Sequence, residues 1–134
     1  MESILELSED GKTIIGVKDK NVALITIPKS ITSIGDRAFD GCSSLQSIDI
    51  PNSVTTIGEY AFSNCSNLMQ VTIGDRVTTI GNSTFYSCSS LTHVAIPDSV
   101  ATIGEYAFAF CTSLTQVTIP DSVTTIGISA FYSC

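Results

Sequence analysis

A single repeat spacing, i to i + 23, runs from Pro28 to the end of the chain without an insertion. The phrase "SITSIG" at 30–35 returns as "SVTTIG" (53–58), "RVTTIG" (76–81), "SVATIG" (99–104) and "SVTTIG" (122–127). Coils on this period begin at Pro28, Pro51, Gly74, Pro97 and Pro120; the first four are complete and the fifth stops at Cys134. Eight apolar columns line up. They start at Ile31, Ile34, Ala38, Phe39, Cys42, Leu45, Ile48 and Ile50, and each continues at the same interval.

A 23-residue unit cannot bury eight such side chains by itself, whereas stacked units bury them against one another. Each buried aliphatic or aromatic side chain contributes roughly 1.5–3 kcal/mol before chain entropy is subtracted, so the stack is stable and a lone coil is not. The fold class expected is a β-rich solenoid of 23-residue coils with a parallel sheet, short helical or 3₁₀ turns and an N-terminal β-hairpin cap.

The local assignments follow from spacing. In "LMQVTI" (68–73) the alternation of Val71 inward, Thr72 outward and Ile73 inward predicts a short strand. Its copies lie in parallel, ~4.8 Å apart. In "EYAFSNCSNL" the apolar positions 61, 62, 65 and 68 follow helical spacing and predict one helical or 3₁₀ turn. Proline at the head of a coil suits a corner. The glycine column (Gly35, Gly58, Gly81, Gly104, Gly127) marks either positive φ or a backbone approach too close for a Cβ.

The chain start reads differently. Residues 4–17, "ILELSEDGKTIIGV", set an Asp-Gly turn between two strand-like runs and predict a hairpin. "VALITIP" (22–28) then supplies a half-coil with Val22, Ile25 and Ile27 in the core columns. The division expected is a cap over 1–27 and a solenoid over 28–134, the cap shielding the edge and apolar face of the first coil. The last coil, ending at "FYSC", is expected to be frayed or covered by another copy.

Composition narrows the function. The chain is 43% apolar and only 14% charged, with a net charge of −7. All six cations (Lys12, Lys18, Lys20, Lys29, Arg37, Arg76) lie in the first part of the chain and nothing basic follows Arg76, so nucleic acid and anionic membrane are poor partners. Met1-Glu2-Ser3 opens without a basic n-region or an apolar h-region, and no run approaches the ~20 apolar residues of a membrane span, so neither a signal peptide nor membrane insertion is expected in this segment.

The pattern "LxxIxIPxSVTxIGxxAFxxC" resembles the BspA-type leucine-rich repeat over residues 22–134. Ordinary leucine-rich repeats place an Asn in the loop where this chain holds Ser53, Arg76, Ser99 or Ser122, so their loop geometry is not carried over. The resemblance implies a cell-surface or secreted parent protein and an adhesin that binds a host extracellular matrix or plasma protein, or a glycan.

Chemistry is thinly represented. Five cysteines at 23-residue spacing (Cys42, Cys65, Cys88, Cys111, Cys134) invite a metal ladder or disulfides. Stacked neighbours pointing the same way rarely meet a disulfide's torsion, however, and their Phe and Leu surroundings favour buried free thiols. Cys134, last in the chain, is expected to be the reactive one. With one histidine and no C-x-x-C, a zinc site lacks ligands. His93 beside Asp49 or a serine is supported by no nucleophile motif. We therefore expect no catalytic residue, metal or cofactor. Two sequons, at Asn64 and Asn82, would carry glycans in a secreted eukaryotic chain.

Binding residues are sought where the coils disagree. The outward strand positions are Gln46, Ser47, Asp49; Met69, Gln70, Thr72; Thr92, His93, Ala95; and Thr115, Gln116, Thr118, a small-polar face that a solenoid presents as an extended surface. A second variable set, Tyr60, Tyr86, Tyr106, Phe110 and Tyr132, lies near the expected helical turn and is either an aromatic binding edge or packing between coils. Two functions follow: a non-catalytic protein-binding module, or a spacer that self-associates through its C-terminal coil.

Overall fold

The computed structural model of the protein describes residues 4–134; the first three residues of the expected cap lie outside the described residues. The chain winds as a solenoid whose coils hydrogen-bond to their neighbours. Strands β4 (Ser47–Ile50), β6 (Gln70–Ile73) and β8 (His93–Ala95) form a parallel sheet in that order. Register is kept at one full coil per strand, with Ser47 opposite Gln70 and Gln70 opposite His93. Leu24 makes a parallel bridge to Ser47, which joins the half-coil to the same sheet.

The recurring phrase makes further parallel ladders on another side of the coil. Its Thr-Ile or Ser-Ile pairs are β3 (Ser33–Ile34), β5 (Thr56–Ile57), β7 (Thr79–Ile80), β9 (Thr102–Ile103) and β10 (Thr125–Ile126), paired β3 to β5 and β7 to β9 to β10. In the first four the isoleucine is buried, whereas Ile126 is half exposed. The expected hairpin is β1 (Leu5–Leu7) with β2 (Thr13–Val17), closed by a turn in which Gly11 has a φ of +72°. The free edge of β2 runs parallel to β3, with Ile14 opposite Ile34, and so covers the first coil's edge.

The apolar columns form the core. Phe39, Phe62, Phe85 and Phe108 are fully buried and stack with centroids 4.8–5.5 Å apart and planes within 11°. Phe131 extends the row at 5.3 Å from Phe108. This spacing is the coil repeat itself, which is why an aromatic column survives in one rotamer.

The helical turn is not present, and its absence has a clear cause. Along 35–42 alternate amides divide their bonds. Ala38, Asp40 and Cys42 donate to the carbonyl three residues back, while Arg37, Phe39 and Gly41 donate to Glu59, Ala61 and Ser63 of the next coil. A helix continued beyond its first turn would spend its amides within its own segment, whereas here every second amide is given to the next coil. The chain therefore makes successive turns, linked by left-handed residues in two columns. One is Arg37, Tyr60, Ser83, Tyr106 and Ser129, with φ of 55–59°. The other is Gly41, Asn64, Ser87, Phe110 and Ser133, where φ is 56–62° for the non-glycines. Successive turns advance with nearly the apolar period of a helix, which accounts for the misleading spacing.

The glycine column resolves in favour of close approach, since none of its members has positive φ. A Cβ at Gly104 would lie 2.7 Å from the backbone nitrogen of Asn82 in the preceding coil, and one at Gly127 would lie 2.5 Å from that of Glu105. At Gly81 the nearest atom is the Ile57 carbonyl oxygen at 3.3 Å. Gly104→Ala is thus expected to lower unfolding free energy by about 1–3 kcal/mol, and Gly81→Ala by clearly less. Urea denaturation of the two variants side by side checks the order; equal costs would contradict the close-approach reading.

Candidate binding surfaces

The sheet face is a set of rows perpendicular to the strands. Gln46, Met69 and Thr92 form one row, tied by the amide of Met69 donating to the Gln46 carbonyl at 2.8 Å and that of Thr92 to Met69 at 3.1 Å. Ser47, Gln70 and His93 form the next, and Asp49, Thr72 and Ala95 a third. All nine are exposed except Ser47, which is half-buried. The structure therefore brings together the residues of the first three coils. It does not extend the ladder to Thr115, Gln116 and Thr118. These are exposed but outside any strand, and a gap of about 340 Å³ lies between them and Thr92–Val94.

His93 and Asp49 do not meet as a catalytic pair. They stand two coils apart in different rows, and among the described residues the His93 side chain has no hydrogen bond or ion pair. No group of His, Cys, Asp and Glu suited to a metal ion occurs among the described residues.

The aromatic residues split into two groups. Tyr60 lies under the Arg37 guanidinium, 4.3 Å from the ring centroid. Tyr86, Tyr106, Phe110 and Tyr132 form an edge-to-face cluster, with Tyr86 at 6.5 Å from Tyr106 and 5.4 Å from Phe110, and Phe110 at 5.5 Å from Tyr132. Two of the four, Tyr106 and Phe110, hold left-handed backbone, a conformation that costs a non-glycine residue roughly 1–2 kcal/mol. The left-handed positions were missed from sequence. Gly41 and Asn64 in one column were the available signal.

The cysteines are free thiols, and all but Cys134 are buried. Their sulfurs donate to a carbonyl of the preceding coil: Cys65 to Phe39 at 3.2 Å, Cys88 to Phe62 at 3.1 Å, Cys111 to Phe85 at 3.2 Å. Burial pushes Cys42 and Cys111 up to about 12. Cys88 is raised by its contact with the Cys65 thiol and by burial. Cys134 is exposed, as expected of the last residue, yet partial burial raises it too and its thiol donates to Phe108 at 3.2 Å. Cys42, Cys88, Cys111 and Cys134 are thus held as thiols and not poised as thiolate nucleophiles. Both sequon asparagines are exposed but engaged: Asn64 Nδ2 donates to Asp40, and Asn82 Oδ1 accepts from the Glu105 amide.

A sequence model of the BspA-type leucine-rich repeat region matches residues 17–134 in six copies. The chain belongs to the BspA-type leucine-rich repeat family. None of the curated proteins compared matches it. Among solved structures it is similar to a T. pallidum leucine-rich repeat protein at 31% identity and a TM-score of 0.88, over 97% of this chain and 64% of that one. A Bacteroides ovatus leucine-rich repeat protein matches at 36% identity and a TM-score of 0.84, over 94% of this chain and 36% of that one. A leucine-rich cell surface protein of Faecalibacterium prausnitzii matches at 30% identity and a TM-score of 0.62, over 97% of this chain and 50% of that one. The chain thus spans a third to two-thirds of the length of these relatives. A BspA-type solenoid is consistent with a protein-interaction module, and no helix among the described residues is long and apolar enough to cross a membrane.

The thiol column has a pH consequence. The native state holds the protons of Cys42, Cys88 and Cys111 where unfolded thiols, with ordinary values near 8.5, have released them. This contribution is complete below about pH 8.5 and declines as pH climbs toward the native values. The urea midpoint is expected to fall between about pH 8 and pH 10.5, and to fall less in a Cys42→Ala/Cys111→Ala variant. An identical fall in both would remove the thiols as its source.

Proposed function

We propose that this segment is a non-catalytic protein-binding module of a surface adhesin, using the Gln46–Ala95 rows of the sheet face to contact a host extracellular protein. The observation that carries this reading is the contrast along the face. The inward positions of the three strands repeat as Ile or Val, while the outward rows change from coil to coil as Ser47, Gln70, His93 and as Asp49, Thr72, Ala95. Variation confined to the solvent side has no packing role, and a parallel sheet holds it on a rigid backbone at a regular spacing. The surface location is supported by family membership and by the named cell surface protein among the relatives. The aromatic cluster around Phe110 is a second contact zone, where rigid aromatics bind at low entropy cost.

Surface plasmon resonance against extracellular matrix and plasma proteins should find a ligand whose affinity falls about tenfold or more in Gln70→Ala/His93→Ala. Both side chains are exposed, so the melting temperature should hold. Binding unaffected by that pair and by Tyr106→Ala would sink the assignment of the face.

A second reading is an assembling spacer, favoured by the apolar exposure of the last coil: Ile128 is 73% exposed, Tyr132 54% and Ile126 50%. Sedimentation would then show association at rising concentration, abolished by Ile128→Glu.

A further inference from the structure

The third coil departs from the repeat at its first corner. The other coils open with Pro28-Lys29-Ser30, Pro51-Asn52-Ser53, Pro97-Asp98-Ser99 and Pro120-Asp121-Ser122; this one opens with Gly74-Asp75-Arg76. A Cβ at Gly74 would lie 2.6 Å from the Pro51 carbonyl oxygen, so the corner sits closer to the second coil than a proline could. The Asp75 amide ties it there, donating to Asn52 Oδ1 at 3.0 Å.

Beside this corner is an open cleft of about 560 Å³ lined by Lys29, Pro51, Asn52, Ser53 and Arg76. Its polar lining offers spare donors. Asn52 Oδ1 is taken by Asp75, which leaves its amide NH₂ unused. The Ser53 hydroxyl oxygen is buried and without a partner among the described residues, as are those of Ser99 and Ser122 in the same column, so it belongs to the repeated corner and not to the cleft's donors. Neither Lys29 nor Arg76 makes an ion pair or side-chain hydrogen bond among the described residues, whereas Lys20 donates to the Asp40 carbonyl and Arg37 lies on Tyr60. Asn52 also stands in the column that carries Asp75, Asp98 and Asp121 in the next three coils, which removes a carboxylate from the cleft. The nearest acid in sequence, Asp75, is not among the lining residues.

We propose that this cleft is a binding site for a single oxyanion group, a carboxylate, sulfate or phosphate. The Arg76 fork and the Lys29 ammonium supply charge from backbones two coils, ~10 Å, apart, and Asn52 Nδ2 donates from between them. Two cations on a chain of net charge −7 suit one such group and not a polyanion. The site is on a different part of the coil from the sheet face and stands independently of the adhesin reading.

The test is an amide chemical-shift titration of the whole chain with sodium acetate, sulfate and phosphate, ionic strength being held constant with chloride. Saturable shifts at 29–30, 52–54 and 75–77 are expected with at least one anion, and the anion saturating at the lowest concentration identifies the group. Arg76→Ser restores the repeat's own residue and Lys29→Gln keeps an exposed polar side chain, so both variants should fold. Each is expected to weaken binding about tenfold or more. Shifts that stay linear with all three anions, or saturation unchanged in either variant, would overturn the proposal.

Discussion

Everything in this protein depends on neighbouring coils exchanging backbone hydrogen bonds at one spacing. The amides of Phe39, Phe62, Phe85 and Phe108 each donate to a residue of the next coil at 2.7–2.8 Å, and the strand and corner ladders repeat the same step. A single added residue would shift every later side chain out of its column, which is why the period tolerates no insertion. The same spacing stacks the phenylalanine rings, brings the thiols of Cys65, Cys88, Cys111 and Cys134 to carbonyls of the preceding coil and forbids a Cβ at Gly104. These features are consequences of one constraint rather than separate sources of stability.

That constraint also separates what could be read from the sequence from what could not. The columns from Ile31 to Ile50, the parallel strand at 70–73, the Asp10-Gly11 hairpin turn and the buried free thiols all follow from residue type at fixed spacing. The turn segment did not, because its apolar positions at 61, 62, 65 and 68 suit a helix and a chain of turns equally well. What decides between them is where the amides of Tyr60, Phe62 and Asn64 donate, namely to Asn82, Thr84 and Tyr86 of another coil. Sequence periodicity within one coil carries no information about bonds made to the next.

The site was legible only as a list of candidates. The outward rows of Ser47, Gln70, His93 and of Asp49, Thr72, Ala95 could be named because strand alternation dictates which side chains face outward, and the register then places them side by side; Gln46, Met69 and Thr92 lie just before the strands, where alternation no longer decides. The 115–118 segment shares the same pattern but is not in the ladder, since an apolar alternation specifies facing and not pairing. The aromatics could be named but not grouped: that Tyr60 belongs with Arg37, and Tyr86 with Phe110, depends on side-chain directions set by left-handed backbone at Tyr60 and Phe110.

A repeat under such a constraint has few places in which to vary. Core columns cannot change without loss of packing, a Cβ at Gly58, Gly104 or Gly127 would displace backbone, and Asp36 and Asn82 are held by bonds to the next coil's amides. Freedom remains in the outward strand positions, the turn edge and the coil corners. The first holds the changing polar rows, the second the aromatic cluster, and the third the only corner among the five coils where glycine and arginine replace proline and serine. At that corner both changes act in one direction, Gly74 letting the backbone close onto Pro51 and Arg76 adding a charge that the column elsewhere lacks. Either change alone alters one property of the corner; together, beside Lys29 and a neutral Asn52, they set two cations on a cleft whose lining holds no carboxylate.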